Sequence, residues 1–190
     1  MIQLFQQIID VYWQVLRFKQ TPLATPHSPI MLALAILISI AVSLTQLCFA
    51  NLIAGLSLSF MLSIGMILAQ LGLFLLYSRL ALWSQNVLDQ WIRLCTCWAM
   101  MLVFLDSMAL VVMLLFYLLT VLGVFSQVKQ VMMMVSAVSG IMLSFWQIVF
   151  TIRLFMTLMQ KTSLVASGIY LGWFGVNFLF LLSIKNIFQV

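Results

Sequence analysis

Residues 29–78 contain no Asp, Glu, Lys or Arg over fifty consecutive positions. About 20 apolar residues suffice to cross the ~30 Å hydrocarbon core of a bilayer, so this stretch holds two crossings. In lipid every backbone N–H and C=O must be satisfied inside the chain, and an open segment of this kind can do so only as α-helix. The rest of the chain agrees. Charged residues make up 6% of its 190 residues, against roughly 25% in an average soluble domain. Apolar residues make up 66%, which leaves too few polar side chains to cover a water-facing surface. The same composition excludes a disordered linker, a collagen-like rod and a disulfide-stapled secreted domain. An all-α polytopic integral membrane bundle is expected.

The formal net charge of +5 is not a nucleic-acid signature, because the eight basic residues are scattered along the chain. The first residues lack a basic stretch ahead of an apolar one, so no secretory signal is expected and an internal span directs insertion. Residues 1–28 form an amphipathic segment and a Pro-rich linker, and residues 29–190 the bundle. Gln3, Gln7, Asp10, Gln14 and Arg17 recur at helical spacing, opposite a stripe of Phe5, Ile8, Ile9, Tyr12 and Leu16 bordered by Trp13 and Val15. Such a helix is too polar to span. It lies in the interface plane, or packs on the ends of the other helices. Pro22, Pro26 and Pro29 exclude α-helix between 21 and 28, leaving a stiff linker at the membrane surface. Ser28 before Pro29 reads as an N-cap, and the lone His27 as a solvated or capping residue.

Spans are expected near 29–50, 54–77, 92–124, 131–153 and 164–184. Asn51 marks a tight turn between the first two, residues 79–93 an interfacial loop bearing Trp83 and Trp91, and residues 126–130 and 160–163 polar turns. Residues 92–125 would measure about 51 Å as one helix. Broken at Asp106, the first piece would be too short to span, so five spans fit better than six. Arg17, Lys19, Arg79, Arg93, Arg153 and Lys161 then share one side, and Lys129 and Lys185 the other. Six spans would exchange the last two pairs and leave the same bias. The excess of positive charge therefore puts the N-terminus in the cytoplasm under either count, and leaves the C-terminus open.

Asp106 is the residue the membrane should resist, since a carboxylate near mid-depth costs about 2.5–3.5 kcal/mol on insertion scales. Gln70 and Gln147 fall at a similar level. A polar cluster of Asp106, Gln70 and Gln147, with Ser107, Ser144 and Trp146 as donors, would handle a proton or cation, or would simply bond the helices together. Small residues at four-residue spacing form three stripes: Gly55, Ser59 and Ser63; Ser136, Gly140 and Ser144; Gly168 and Gly172. They let helices approach closely within the bundle, or against another membrane subunit or a second copy. Cys95 and Cys97 stand about 200° apart around a helix, so they neither pair nor clamp a metal together. With Cys48 they read as small apolar residues facing lipid or a neighbouring helix. No second His, no Glu, no phosphate-binding glycine loop and no nucleophile elbow occurs, so no enzyme, cofactor or metal is expected.

The order of parts resembles the Yip-type membrane proteins, most of all small bacterial inner-membrane relatives. The resemblance rests on the amphipathic start, the approach from Arg17-Phe18-Lys19-Gln20-Thr21-Pro22 through Pro26-His27-Ser28-Pro29, and the Trp146-led stretch 145–153 ending at Arg153. It implies a five-helix bundle in the bacterial inner membrane with a role in membrane organisation, and it carries over no functional residue. The function expected is a non-catalytic subunit or assembly factor of a membrane or envelope complex, in contact with lipid and with a membrane-protein partner or a second copy. A small transporter or channel component using Asp106 is the alternative.

Overall fold

The computed structural model of the chain describes residues 2–54, 60–122 and 125–188, with side chains at all of these except 2–5, 8, 47, 50–54, 60–63, 120, 125–133, 136 and 184–188. Among them there is no strand. Helix α1 (Ile2–Leu16) leads through a single 3-10 turn (Pro22–Ala24) into α2 (Pro29–Ala54). Then come α3 (Phe60–Ser84), a second 3-10 turn (Leu88–Gln90), α4 (Trp91–Val121), α5 (Phe125–Met159) and α6 (Ser163–Phe188). Five of these helices, α2 to α6, are long and apolar enough to cross a membrane. The chain is an all-α, polytopic integral membrane bundle with an amphipathic helix ahead of it.

Residues 91–121 are one unbroken helix through Asp106, about 46 Å long at the standard rise, so the five-span layout is the one adopted. The turns expected at Asn51 and at 126–130 are helical instead, and the loop expected over 79–93 shrinks to residues 85–90. Helix α2 runs through Asn51 to Ala54, because one Asn in an apolar run is no stop signal. Helix α3 continues past Arg79 and Trp83 to Ser84, since an arginine can extend its head toward water without ending the helix. Helix α5 already includes residues 126–130, where neither Gly nor Pro interrupts. It also runs beyond Arg153 to Met159, and α6 beyond Lys185 to Phe188.

What stops α1, α3 and α5 is backbone geometry at residues other than glycine, two of them inside the loop expected at 79–93 and the polar turn expected at 160–163. Phe18, Asn86 and Gln160 take positive φ of 59°, 58° and 52°, just past α1, α3 and α5. At each, the next amide reaches back over the helix end: Lys19 to Gln14 O at 2.8 Å, Val87 to Leu82 O at 3.1 Å, Lys161 to Met156 O at 3.2 Å. These are Schellman closures, normally supplied by glycine. At the start of α2, the Met31 amide donates to Ser28 Oγ at 3.4 Å, so the cap read from Ser28-Pro29 forms.

Helix α1 packs rather than floats. Tyr12, Val15 and Leu16 belong to the core, whereas Ile9 and Trp13 are 42% and 39% exposed. The buried stripe is therefore turned toward Val15 relative to the one read from periodicity. The linker also departs from expectation. It makes a 3-10 turn, which needs no amide from Pro22, and it buries Pro22 and Thr25 while Thr21, Leu23, Ala24 and His27 stay exposed. Thr25 Oγ1 lies 3.5 Å from the Cys97 sulfur.

Helices α2 and α4 run parallel and share the most extensive described contact in the bundle. His27 Nε2 is 3.1 Å from Asp89 O near their starts, and Ser43 meets Asp106 at mid-length. On α2 the inward residues Leu32, Ala35 and Ser39 are buried, and the small ones bring the two axes close. An aromatic knot joins α3, α4 and α6. Phe74 stacks on Trp98 at 3.5 Å, and Trp173 meets Phe74 edge-on at 5.1 Å. A second knot, Phe18, Phe104, Trp146 and Phe150, ties the end of α1 to α4 and α5. Large apolar side chains such as Leu37, Leu76, Leu118, Ile141 and Leu171 face outward on all five spanning helices, as a lipid-facing surface requires.

Candidate intramembrane polar site

Ser43, Asp106 and Asn177 lie 14 to 15 residues from the N-terminal ends of α2, α4 and α6, and Gln70 and Gln147 lie 12 to 14 residues from the C-terminal ends of α3 and α5, which a five-span chain puts on the same side. At 1.5 Å per residue that is a common level about 18–22 Å along each axis, deep in a ~30 Å hydrocarbon core. Each of the five spanning helices thus contributes one polar side chain to a single layer. Gln70, Asp106 and Gln147, the three residues singled out above, line one cavity of about 200 Å³ together with Ser39, Ser43 and Asn177. Trp98 and Trp173 complete its walls with Ile67, Leu71 and Leu102.

Asp106 is held from α2. Ser43 Oγ donates to Asp106 Oδ2 at 2.8 Å, and the Gln46 amide nitrogen donates to the Asp106 backbone carbonyl. The second bond occupies main chain, so it fixes helix register without neutralising the carboxylate. Across the cavity Gln70 Nε2 donates to Asn177 Oδ1 at 3.3 Å, linking α3 to α6. Among the described residues no Lys or Arg lines the cavity. Its chemistry is therefore one carboxylate, three amides, two hydroxyls and two indoles in an apolar surround.

The expected donors do not join. Ser144 Oγ turns back to Gly140 O at 2.8 Å on its own helix, and Trp146 belongs to the aromatic knot beneath α1. Ser107 does not line the cavity either. Ser39, Ser43, Gln46 and Asn177 were missed. A signal existed for the first two, since Ala35, Ser39 and Ser43 form a small-residue stripe at the spacing used for the other three. Asn177 carries no such signal, being one amide in an apolar span.

The small-residue stripes behave unequally. At Gly172 an added Cβ would stand 2.5 Å from Tyr77 Oη, itself donating to Ile169 O at 2.6 Å, so α3 and α6 do meet closely there. A Cβ at Gly140 or Gly168 would meet nothing within 4 Å. Those two positions are not close-approach points inside this chain, because they lie on outward helix faces. Gly55 and Ser59 lie outside the described residues, as do the side chains of Ser63 and Ser136.

The three cysteines are free. Cys95 and Cys97 are buried in α4, and Cys48 is exposed on α2. Among the described residues no three His, Cys, Asp or Glu side chains gather as metal ligands. Comparison with known proteins finds no family model, no curated protein and no solved structure that matches the chain.

Proposed function

We propose that the protein is a non-catalytic integral membrane protein of the bacterial inner membrane, with its N-terminus cytoplasmic, acting as a subunit or organising factor of a membrane or envelope complex. The observation that carries this reading is the open space at Gly140 and Gly168. Glycines on an outward helix face, unused by the chain's own packing, are what a second transmembrane helix needs for close approach. The basic residues Arg17, Lys19, Arg79, Arg93, Arg153 and Lys161 all fall on the α1 side of a five-span chain, which supports a cytoplasmic N-terminus. The resemblance to Yip-type proteins points the same way, toward membrane organisation.

The open space also makes the test clean. Gly140→Leu and Gly168→Leu fit the free chain and raise helix propensity by somewhat under 1 kcal/mol each, so the monomer keeps its stability. Loss of a cross-linked partner or of self-association in these variants, at unchanged thermal unfolding, supports the reading. Full association in both variants refutes it.

A second reading, a small transporter or channel component, is favoured by the polar cavity around Asp106. Asp106→Asn in proteoliposomes tests it: an ion- or proton-dependent flux abolished by the substitution supports transport, and the absence of any flux in the unaltered protein removes it.

A further inference from the structure

We infer that the cavity between the spanning helices is a binding site for a small organic cation, a protonated or quaternary amine. The inference shares the cavity with the transport reading but does not need transport. Three observations converge on this ligand.

Charge comes first. Among the described residues no basic side chain lines the space to which Asp106 presents its carboxyl group, and the one described side-chain donor to it is the neutral hydroxyl of Ser43. A carboxylate removed from water is costly unless it takes up a proton or a positive partner stands beside it, and no described residue supplies that partner. An anion is disfavoured for the same reason.

Walls come second. Trp98 and Trp173 both line the cavity, with ring centroids 6.4 Å apart and planes at 87°. Indole is the strongest of the natural cation–π partners; Phe74 covers one face of Trp98, and the two indoles still give a positive, weakly hydrated group aromatic wall to meet. Ile67, Leu71 and Leu102 would contact alkyl substituents. A bare alkali or divalent ion would draw on the carboxylate, amide and hydroxyl oxygens alone, leaving the indoles and the three aliphatic walls unused.

Size comes third. The cavity of about 200 Å³ equals roughly six or seven water volumes, enough for an ammonium bearing a few carbons. A site that only relayed protons would need no such room.

The test uses the full chain in nanodiscs of phosphatidylglycerol, which carries no ammonium headgroup. Choline chloride and tetramethylammonium chloride are titrated calorimetrically and by tryptophan fluorescence. Potassium chloride and 3,3-dimethylbutan-1-ol, the neutral isostere of choline, serve as comparators at matched ionic strength. Saturable binding of the ammonium ions is expected, with a preference of roughly tenfold or more over the alcohol and over potassium. Asp106→Asn should weaken it by roughly tenfold or more, and Trp173→Phe by a few-fold.

Binding of the alcohol as tight as choline overturns the inference, as does potassium binding as tight as tetramethylammonium, or no saturable binding at all. These comparisons need no variant, so a misfolded Asp106→Asn leaves the inference falsifiable. Repeating the titration in phosphatidylcholine separates two sources of the same group. Unchanged choline affinity supports a free amine, and competition by the lipid supports its headgroup as occupant. Binding without flux removes the transport reading and leaves the site standing.

Discussion

Tyr12 is 1% exposed, and its hydroxyl is buried without a hydrogen-bond partner. Burial first, and the nearby Cys97 thiol second, push its ionisation above the ordinary tyrosine range. The sign follows directly. A raised folded-state value favours the neutral form, so the ionisation of Tyr12 costs stability only as pH climbs past about 10, where the unfolded chain ionises first. Tyr12→Phe should leave stability at neutral pH unchanged or raise it by about 1 kcal/mol, by removing an unsatisfied hydroxyl. It should also flatten the alkaline loss, read by thermal unfolding in detergent between pH 8 and 11. Gly172 offers the opposite case. Gly172→Ala forces a methyl against Tyr77 Oη, which cannot retreat without losing its bond to Ile169 O. A loss of about 1–3 kcal/mol is expected there. Gly168→Ala, one turn earlier in open space, should stay within about 0.5 kcal/mol by the same measurement. The two glycines are indistinguishable in the sequence, because a four-residue spacing says nothing about which neighbour a helix face meets.

At the scale of elements, the helices and the starts of α2, α4 and α6 were legible, and most of the other ends were not. Apolar length announces a span, but the closures at Phe18, Asn86 and Gln160 use left-handed residues that are not glycine. Gln160 is exposed and pays the steric cost of positive φ with no described side-chain contact in return. Gln160→Gly should therefore stabilise the α5 end by about 1 kcal/mol, detectable as slower hydrogen exchange at Lys161 and in the last turn of α5. Helix α1 makes the second prediction at this scale. Its attachment rests on Tyr12, Val15 and Leu16, and Val15 is 2% exposed. Val15→Asp should release α1 from α4 and α5, making residues 2–20 protease-sensitive while the five spans still insert. Protection equal to the unaltered chain would show that lipid, not the bundle, holds α1. Periodicity could show that α1 has an apolar face. It could not choose between membrane and protein as the apolar partner, because both accept the same side chains.

For the molecule as a whole, an odd number of crossings puts the start of α2 and the end of α6 on opposite faces of the membrane. A compartment-sensitive reporter fused after residue 190 should read the face opposite to one fused ahead of α1; the same face for both would sink the five-span layout. Asp106 stays at depth only in that layout, so the result bears on the cavity as well. The sequence by itself determined that this chain lives in a bilayer, that its spans are helices and that one carboxylate sits where lipid resists it. These follow from composition and length, which the hydrocarbon core reads directly. Only the tertiary structure decided that α2 lies beside α4, and that Ser39, Ser43 and Asn177 join the expected Asp106, Gln70 and Gln147 in one cavity walled by two indoles. The physical reason is rotation. A spanning helix is apolar on every face, so its sequence carries no period that marks an inside. Which side chains point inward is settled by close contacts between helices, at Ala35, Ser39 and Gly172, and those exist only once the helices have met.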